Sequence, residues 1–551
     1  MNLRRRLTIA LFCCLILTLV LSPSAAQDAK ALNIAFVQDI DTMNYGMYSS
    51  QFFSAILMPL WNSPPWVFDT GLNPVPRLVT EIPSADNGGV SEDGTVITIH
   101  LRDDIVWSDG TPITADDFIF TYDMFMADTN AVDSRSPYDL VSSMEAPDPQ
   151  TVVVTFGEPY APWLTTLFYS VVPKHALQPV VDAEGTLDGA DFHRLPSVSS
   201  GPFVPTEYQV GNYILFERNE NYFDEPAKLD QLYVRFVPDD AAQVAALINA
   251  DVDMGIFIAP DDALTLQQNG VEVVTVPSGY NEGLYFNFKP DSGHDAIQDL
   301  AVRQAIAYGL NRDGMAEDLL RYGEGEADHN IIADTYWHNT PWANPDIVHQ
   351  PYDPDMARQI LEDAGWVDSD GDGIREKDGA PLAITWATND RTLRTQIQAV
   401  GQQQLADIGI AVELVNLPSD VFFGSYGDGN PVSLGEYDMW EFSNNTGSFP
   451  DPSHVAWTCA EIPSDDNPSG INDQYLCDET LDALFQEQAR TPDSDARQGI
   501  FHEIQQIMHD NLYWMPLWHD PDLWALSARF ENAELAPTTQ FWNAANWDVA
   551  S

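Results

Sequence analysis

Hydrophobic positions recur along this chain with two different periods. From Gly94 to Arg102 (GTVITIHLR) they alternate: Ile97, Ile99 and Leu101 fall on one side, Val96, Thr98 and His100 on the other. That is the pattern of a half-buried strand. Trp107-Ser108-Asp109-Gly110 follows as a turn signal. Thr151 to Phe156 (TVVVTF) reads as a second strand, and Leu32 to Val37 as the first of the chain. Further along, the period lengthens. Asp353-Pro354 offers an N-cap followed by Pro at the first helical position; Ala357, Ile360, Leu361 and Ala364 make one apolar face, and Gly365 ends it. Ile500, Phe501, Ile504, Ile507 and Met508 form another helical stripe. Such stripes are core and carry no ligand role. Strand and helix signals alternate irregularly, without internal repeat or long low-complexity linker, as in an α/β or α+β protein.

The N-terminus breaks both periods. Arg4, Arg5 and Arg6 precede an almost unbroken apolar run from Leu7 to Leu21, and Ser24-Ala25-Ala26 supplies the small residues of a cleavage site. This predicts an export signal over 1–26, cut after Ala26. The run is short for a bilayer span, which takes ~20 apolar residues, and no later segment is long and apolar enough. Cys13 and Cys14 lie inside the run behind Phe12, so a lipid anchor at the cleavage site is not expected. The remaining 525 or so residues exceed what one core usually organises, so two or more domains are expected.

Composition changes the picture in two places. Beyond the signal only Cys459 and Cys477 remain. An even pair in an exported chain reads as a disulfide, closing a polar loop and worth about 3 kcal/mol. The chain carries 24 Lys and Arg against 84 Asp and Glu, net −60. Such a charge excludes nucleic acid and anionic membrane surfaces as partners. The acids are spread along the whole length, which fits a solubility adaptation better than one cationic ligand.

Four stretches together resemble the peptide/nickel-type solute-binding family of ABC transporters, family 5. Asp93 to Asp117 (DGTVITIHLRDDIVWSDGTPITADD) resembles a strand ending in LR, then DGTP-x-TADD. Ser200 to Asp253 holds SGPF, ERNENYF and ALINADVDM; Phe286 to Arg312 holds FNFKP and LAVRQAIAYGLNR; Tyr352 to Leu417 holds a helix ending in AGW, a DGDG loop and QQQLADIGIAVEL. The resemblance spans nearly the whole chain after the signal. It implies an α/β, two-lobed periplasmic-binding-protein fold (type II, cluster C-like) with an extra subdomain in lobe I. Lobe I is expected over 27–282 with the subdomain at about 70–200, lobe II over 283–517, and a return to lobe I over 518–551. It further implies a periplasmic or extracellular monomer that closes on a small ligand, peptide first and oligosaccharide as the alternative, and delivers it to permease subunits.

The resemblance also places candidates. In peptide-binding members a D-x-x-D-P segment supplies an Asp for the ligand's α-amino group; the matching stretch is Ser448-Phe449-Pro450-Asp451-Pro452, with Ser448 at the first acid's place. Asn444, Asn445 or Asp451 could compensate. An Arg after the AGW helix holds the ligand carboxylate in some members; the match is Arg391, with Arg394 a turn later. Tyr45 and Tyr48 follow the first strand and offer stacking faces; Asn281, Trp457 and Trp337 are placed near the cleft by position. His454, a lone His beside that segment, reads as packing.

Asp368, Asp370 and Asp372 stand at positions 1, 3 and 5 of a calcium-type loop with Gly373 at position 6. Position 12 is Gly379, where a bidentate Glu belongs, so the loop is incomplete; Glu376 or Asp378 could substitute. Structural calcium is a possible addition, and no other cofactor is expected. The alternative of another class, a secreted hydrolase, finds no GxSxG, HExxH or Cys/His nucleophile pattern.

Overall fold

The computed structural model describes residues 29–49, 52–276, 280–320, 333–337, 340, 342–445, 455–520 and 522–550. The expected export signal, Ser448, Asp451 and His454 lie outside them.

Two sheets organise the chain. The first has seven strands, in the order Glu272–Val276, Asp522–Leu526, Met254–Gly255, Ala31–Phe36, Gln231–Phe236, Tyr213–Arg218 and Phe203–Gln209. The strand at Ala31–Phe36 lies at its centre, parallel to both neighbours, and reads ALNIAF with Leu32, Ile34, Ala35 and Phe36 fully buried. Central parallel strands are covered on both faces, which is why alternation gives way to near-continuous apolar residues. The second sheet has five strands: Ala411–Leu417, Ala383–Asn389, Met439–Asn445, Tyr280–Phe286 and Trp514–His519. Its strands Ala383–Asn389 and Ala411–Leu417 are parallel and joined by the helix Thr392–Ala406.

A third, antiparallel sheet of three strands (Val96–His100, Thr151–Phe156, Val141–Asp148) belongs to the subdomain. Ile97, Ile99 and Leu101 are buried as their alternation requires, and their core is continuous with that of the seven-stranded sheet. The turn at Asp109-Gly110 uses a left-handed Gly110 (φ 85°), and Thr114 opens the helix Ala115–Met126, its backbone N–H held by the Asp117 carboxylate. The helix Pro354–Asp363 starts where Asp353 caps the Met356 N–H at 2.9 Å; Phe501, Ile504 and Met508 of Ser494–Asn511 are buried against Trp337 and Trp514 in the second lobe. Cys459 and Cys477 are disulfide-bonded across 18 residues.

Among the described residues the lobes meet at two chain crossings and at a contact between the subdomain and lobe II. The chain leaves the first sheet at Val276 and enters the second at Tyr280; it returns between His519 and Asp522. These crossings lie side by side: Val276 pairs with Asp522, the Asp520 N–H donates to the Tyr280 carbonyl at 2.9 Å, and His519 Nδ1 stands 2.9 Å from Asn281 Oδ1. Far from them, the Ala161 N–H of the subdomain donates to the Ala489 carbonyl of lobe II at 2.8 Å, and Glu158 pairs with Arg490. The architecture is two α/β lobes joined by paired crossings, with an extra antiparallel subdomain on the first.

A cleft between the lobes as candidate ligand site

The strands Ala31–Phe36 and Ala383–Asn389 both end at one cavity of about 370 Å³. Carboxyl ends of parallel strands are where α/β sheets bind ligands, because loops there splay apart and leave a crevice. Lobe I contributes Val37, Phe53, Phe257, Ile258 and Asp240; lobe II contributes Tyr280, Leu393, Phe423, Ser443 and Arg391; the returning crossing contributes Asp520 and Asp522. Apolar and aromatic walls with a few charged groups are the usual make-up of a small-molecule site.

Each charged group is placed by a local feature. Arg391 is the N-cap residue of Thr392–Ala406, extended at φ −61°, ψ 130°, which leaves its side chain outside the helix and beside the cavity. Among the described residues its guanidinium has no ion-pair or hydrogen-bond partner. Arg394, one turn on, points the other way. It is 4% exposed and grips the fully buried Glu282, with Nε to Oε1 at 3.0 Å and Nη2 to Oε2 at 3.2 Å. Its Nη1 donates to Asn389 Oδ1 at 3.0 Å and its Nη2 to Ser443 Oγ at 2.9 Å. Arg394 therefore fixes Ser443 in the cavity wall from behind. Glu282 sits opposite Ser443 in the sheet, just before a bulge at Gly283, where a Cβ would run into the Trp514 indole.

The acids outnumber the cations here. Burial pushes the Glu282 carboxyl up, and Arg394 beside it pulls it back toward the ionised form. Glu441, fully buried on the neighbouring strand, has both carboxylate oxygens without a hydrogen-bond partner among the described residues; burial, then Glu282, drives its pKa well above the ordinary range. Asp520 is raised by burial against the pull of Arg391 and Arg394. Asp522 is raised well above the usual value by burial and by Asp520 next to it.

The other candidates sit elsewhere. Asn281 is fully buried and ties the crossings, its Nδ2 donating to the Tyr336 carbonyl at 2.6 Å. Asn444 pairs with Asn281 across the sheet. Trp457 is 2% exposed and stacks on Tyr285 at 6.1 Å; Trp337 is fully buried against Phe501. Tyr45 lines a separate cavity of about 120 Å³ within lobe I, edge-on to Tyr169. Tyr48 donates to Asp188 at 3.1 Å and packs on His193. Of the residues singled out from the sequence and described here, Arg391 alone lines the cleft cavity. Glu282, Asp520, Asp522 and Ser443 were not among the candidates; the one signal for the aspartates is the segment Trp514 to Trp524 (WMPLWHDPDLW), where two acids interrupt an otherwise apolar run.

Comparison with known proteins agrees with this geometry. Residues 73–462 match the family described as bacterial extracellular solute-binding proteins, family 5. The oligopeptide-binding protein AppA of Bacillus subtilis is 26% identical over 88% of this chain and 85% of its own, and the dipeptide-binding protein of Escherichia coli is 25% identical over 77% and 78%. In fold, the chain superimposes on NikZ from Campylobacter jejuni in complex with Ni(L-His) at a TM-score of 0.80, with 22% identity, covering 94% of this chain and 99% of that one. Two lobes, paired crossings and a cleft at the strand ends thus come with a match over most of the sequence, and the chain belongs to the bacterial extracellular solute-binding proteins of family 5, which are binding proteins and not enzymes.

Proposed function

We propose that this protein is exported by its first 26 residues, captures a small peptide in the cleft outside the cytoplasm, and hands it to the permease subunits of an ABC importer. The observation that carries the reading is the cavity bounded by both lobes with Arg391 in its wall, which has no hydrogen-bond or ion-pair partner among the described residues. A guanidinium fork suits a ligand carboxylate, the aromatic walls suit apolar side chains, and about 370 Å³ suits a ligand at the small end of the usual range. Relatives named for oligopeptides and dipeptides support the peptide class.

Closure acts about the paired crossings, and opening must break the Ala161–Ala489 contact on the far side. Ligand burial between the lobes shifts the equilibrium toward the closed form, which docks on the permease. Small-angle scattering tests this with tripeptides of uncharged side chains at saturation. The radius of gyration is expected to fall relative to the ligand-free protein; an unchanged profile at saturation counts against the reading.

We also propose a structural Ca²⁺ at Asp368, Asp370, Asp372 and Glu376. One carboxylate oxygen from each lies within 4.8 Å of the others, and oxygens on opposite sides of a calcium bonded at 2.3–2.6 Å stand about 5 Å apart. Glu376 supplies the acid that Gly379 cannot, reaching back through the Ser369 N–H and Oγ at 2.9 and 2.8 Å. Calcium at a tenfold excess over its Kd is expected to stabilise the protein by about 1.4 kcal/mol, with EGTA reversing the gain and Asp370→Asn abolishing it. A melting temperature indifferent to calcium overturns the assignment.

A further inference from the structure

We infer that the cleft selects ligands bearing a cationic group, and that Asp520 and Asp522 on the returning crossing are the residues that receive it. This rests on reading the cavity as the ligand site, though not on the ligand being a peptide. It assigns cation recognition to the hinge segment, away from the 448–451 stretch where Ser448 stands in place of an acid.

The first observation is the charge balance of the wall. Asp240, Asp520 and Asp522 face a single Arg391, and the rest of the wall is apolar, aromatic or neutral. The second is the state of Asp522. It is 8% exposed and forms part of the cavity wall, yet among the described residues its carboxylate has no hydrogen-bond or ion-pair partner. A buried carboxylate without a partner is expensive, and a buried charge is normally retained only where something neutralises it. Arg394 cannot serve, because Glu282, Asn389 and Ser443 occupy its guanidinium. Burial and Asp520 hold the Asp522 carboxyl toward its protonated form against the pull of Arg391, and a cationic group seated in the cavity would favour the ionised form.

The position of the pair adds a reason for hinge acids in particular. Asp522 lies in the outer part of the first sheet, opposite Val276; Asp520, two residues earlier, is held to the first residue of the other crossing through the Tyr280 carbonyl. An ammonium seated on both carboxylates touches the two lobes at the point about which they turn. Arg391 lines the same cavity, so a ligand with a cation and a carboxylate meets Asp520 and Asp522 with one group and Arg391 with the other, and leaves the exposed Asp240 to solvent.

Titrating intrinsic Trp fluorescence tests the inference with three probe sets: tripeptides of uncharged side chains with free amino termini, the same tripeptides N-acetylated, and simple diamines. Free tripeptides are expected to bind and N-acetylated ones to bind at least about 30-fold more weakly, the usual cost of removing one partner of a desolvated charge pair. Asp522→Asn, an isosteric change, should weaken the free tripeptides by a similar factor and leave the acetylated ones unchanged; its melting temperature reports that the fold is intact, and Asp520→Asn provides a second variant. Equal affinity for free and acetylated tripeptides, or unchanged affinity in both variants, overturns the inference while leaving the peptide reading standing. Diamines binding where neither tripeptide set does overturns the peptide reading and supports the cation site. No binding by any probe overturns both.

Discussion

Replacing Arg394 by Ala is expected to destabilise the protein by about 3–5 kcal/mol, the range for breaking a buried ion pair from one side. Arg394 and Glu282 are 4% and 0% exposed, so water cannot take over the lost interaction. The truncation strands Glu282 beside Glu441, whose oxygens have no hydrogen-bond partner within normal bonding geometry among the described residues, and releases Ser443 and Asn389 from the donors that hold them. The loss should depend on pH. An acid whose pKa is raised by folding contributes stability below its unfolded value and loses it as pH rises through the folded one. Arg394 lowers the pKa of Glu282, Glu441 and Asp520, so its removal raises all three further. The deficit of Arg394→Ala should therefore be larger at about pH 7.5 than at about pH 3, below the unfolded carboxyl values, where the carboxyls are protonated in both states. Urea unfolding at the two pH values measures it. The double variant Glu282→Met, Arg394→Met should regain most of the loss, because two apolar side chains carry no desolvation penalty. A single variant as stable as the parent at neutral pH would show that the pair does not hold the cleft wall.

The frame of the molecule was legible because burial leaves a periodic trace. Ile97, Ile99 and Leu101 alternate in sequence and are buried in the sheet; Asp353-Pro354 writes a helix start that the Met356 N–H confirms; Cys459 and Cys477, the two cysteines beyond the apolar N-terminal run, are bonded to each other. Family resemblance put Arg391 near the ligand, and it lies in the cleft wall. The polar interior left no such trace. In a chain with 84 acids, nothing local separates Glu282 or Glu441 from an acid on the surface, and only the apolar run around it marks Asp522. Their meaning comes from the pairing of strands distant in sequence, which sets Glu282 opposite Ser443 and Asp522 opposite Val276. Aromatic residues are ambiguous for a related reason. Trp457 follows in sequence the stretch matched to the family's D-x-x-D-P segment, yet it completes a stack with Tyr285 and an edge contact with Tyr336, a packing decided by the tertiary fold.

Ligand binding should give the other large effect. A solute that binds only the folded state stabilises it by about 2.7 kcal/mol at a hundredfold excess over its Kd, and by about 4.1 kcal/mol at a thousandfold excess. Burial between two lobes gains further from lining groups that the ligand can engage together, such as Arg391 and Asp522. The measurement that tests the central claim most directly is a thermal-denaturation screen of the protein, refolded free of co-purified solute, against short peptides, oligosaccharides, amino-acid derivatives and nickel chelates. Solute capture in the cleft predicts a concentration-dependent rise in melting temperature with one chemical class, peptides, and loss of that rise in Arg391→Ala. A rise that Arg391→Ala leaves untouched, or no rise with any class, would contradict the account.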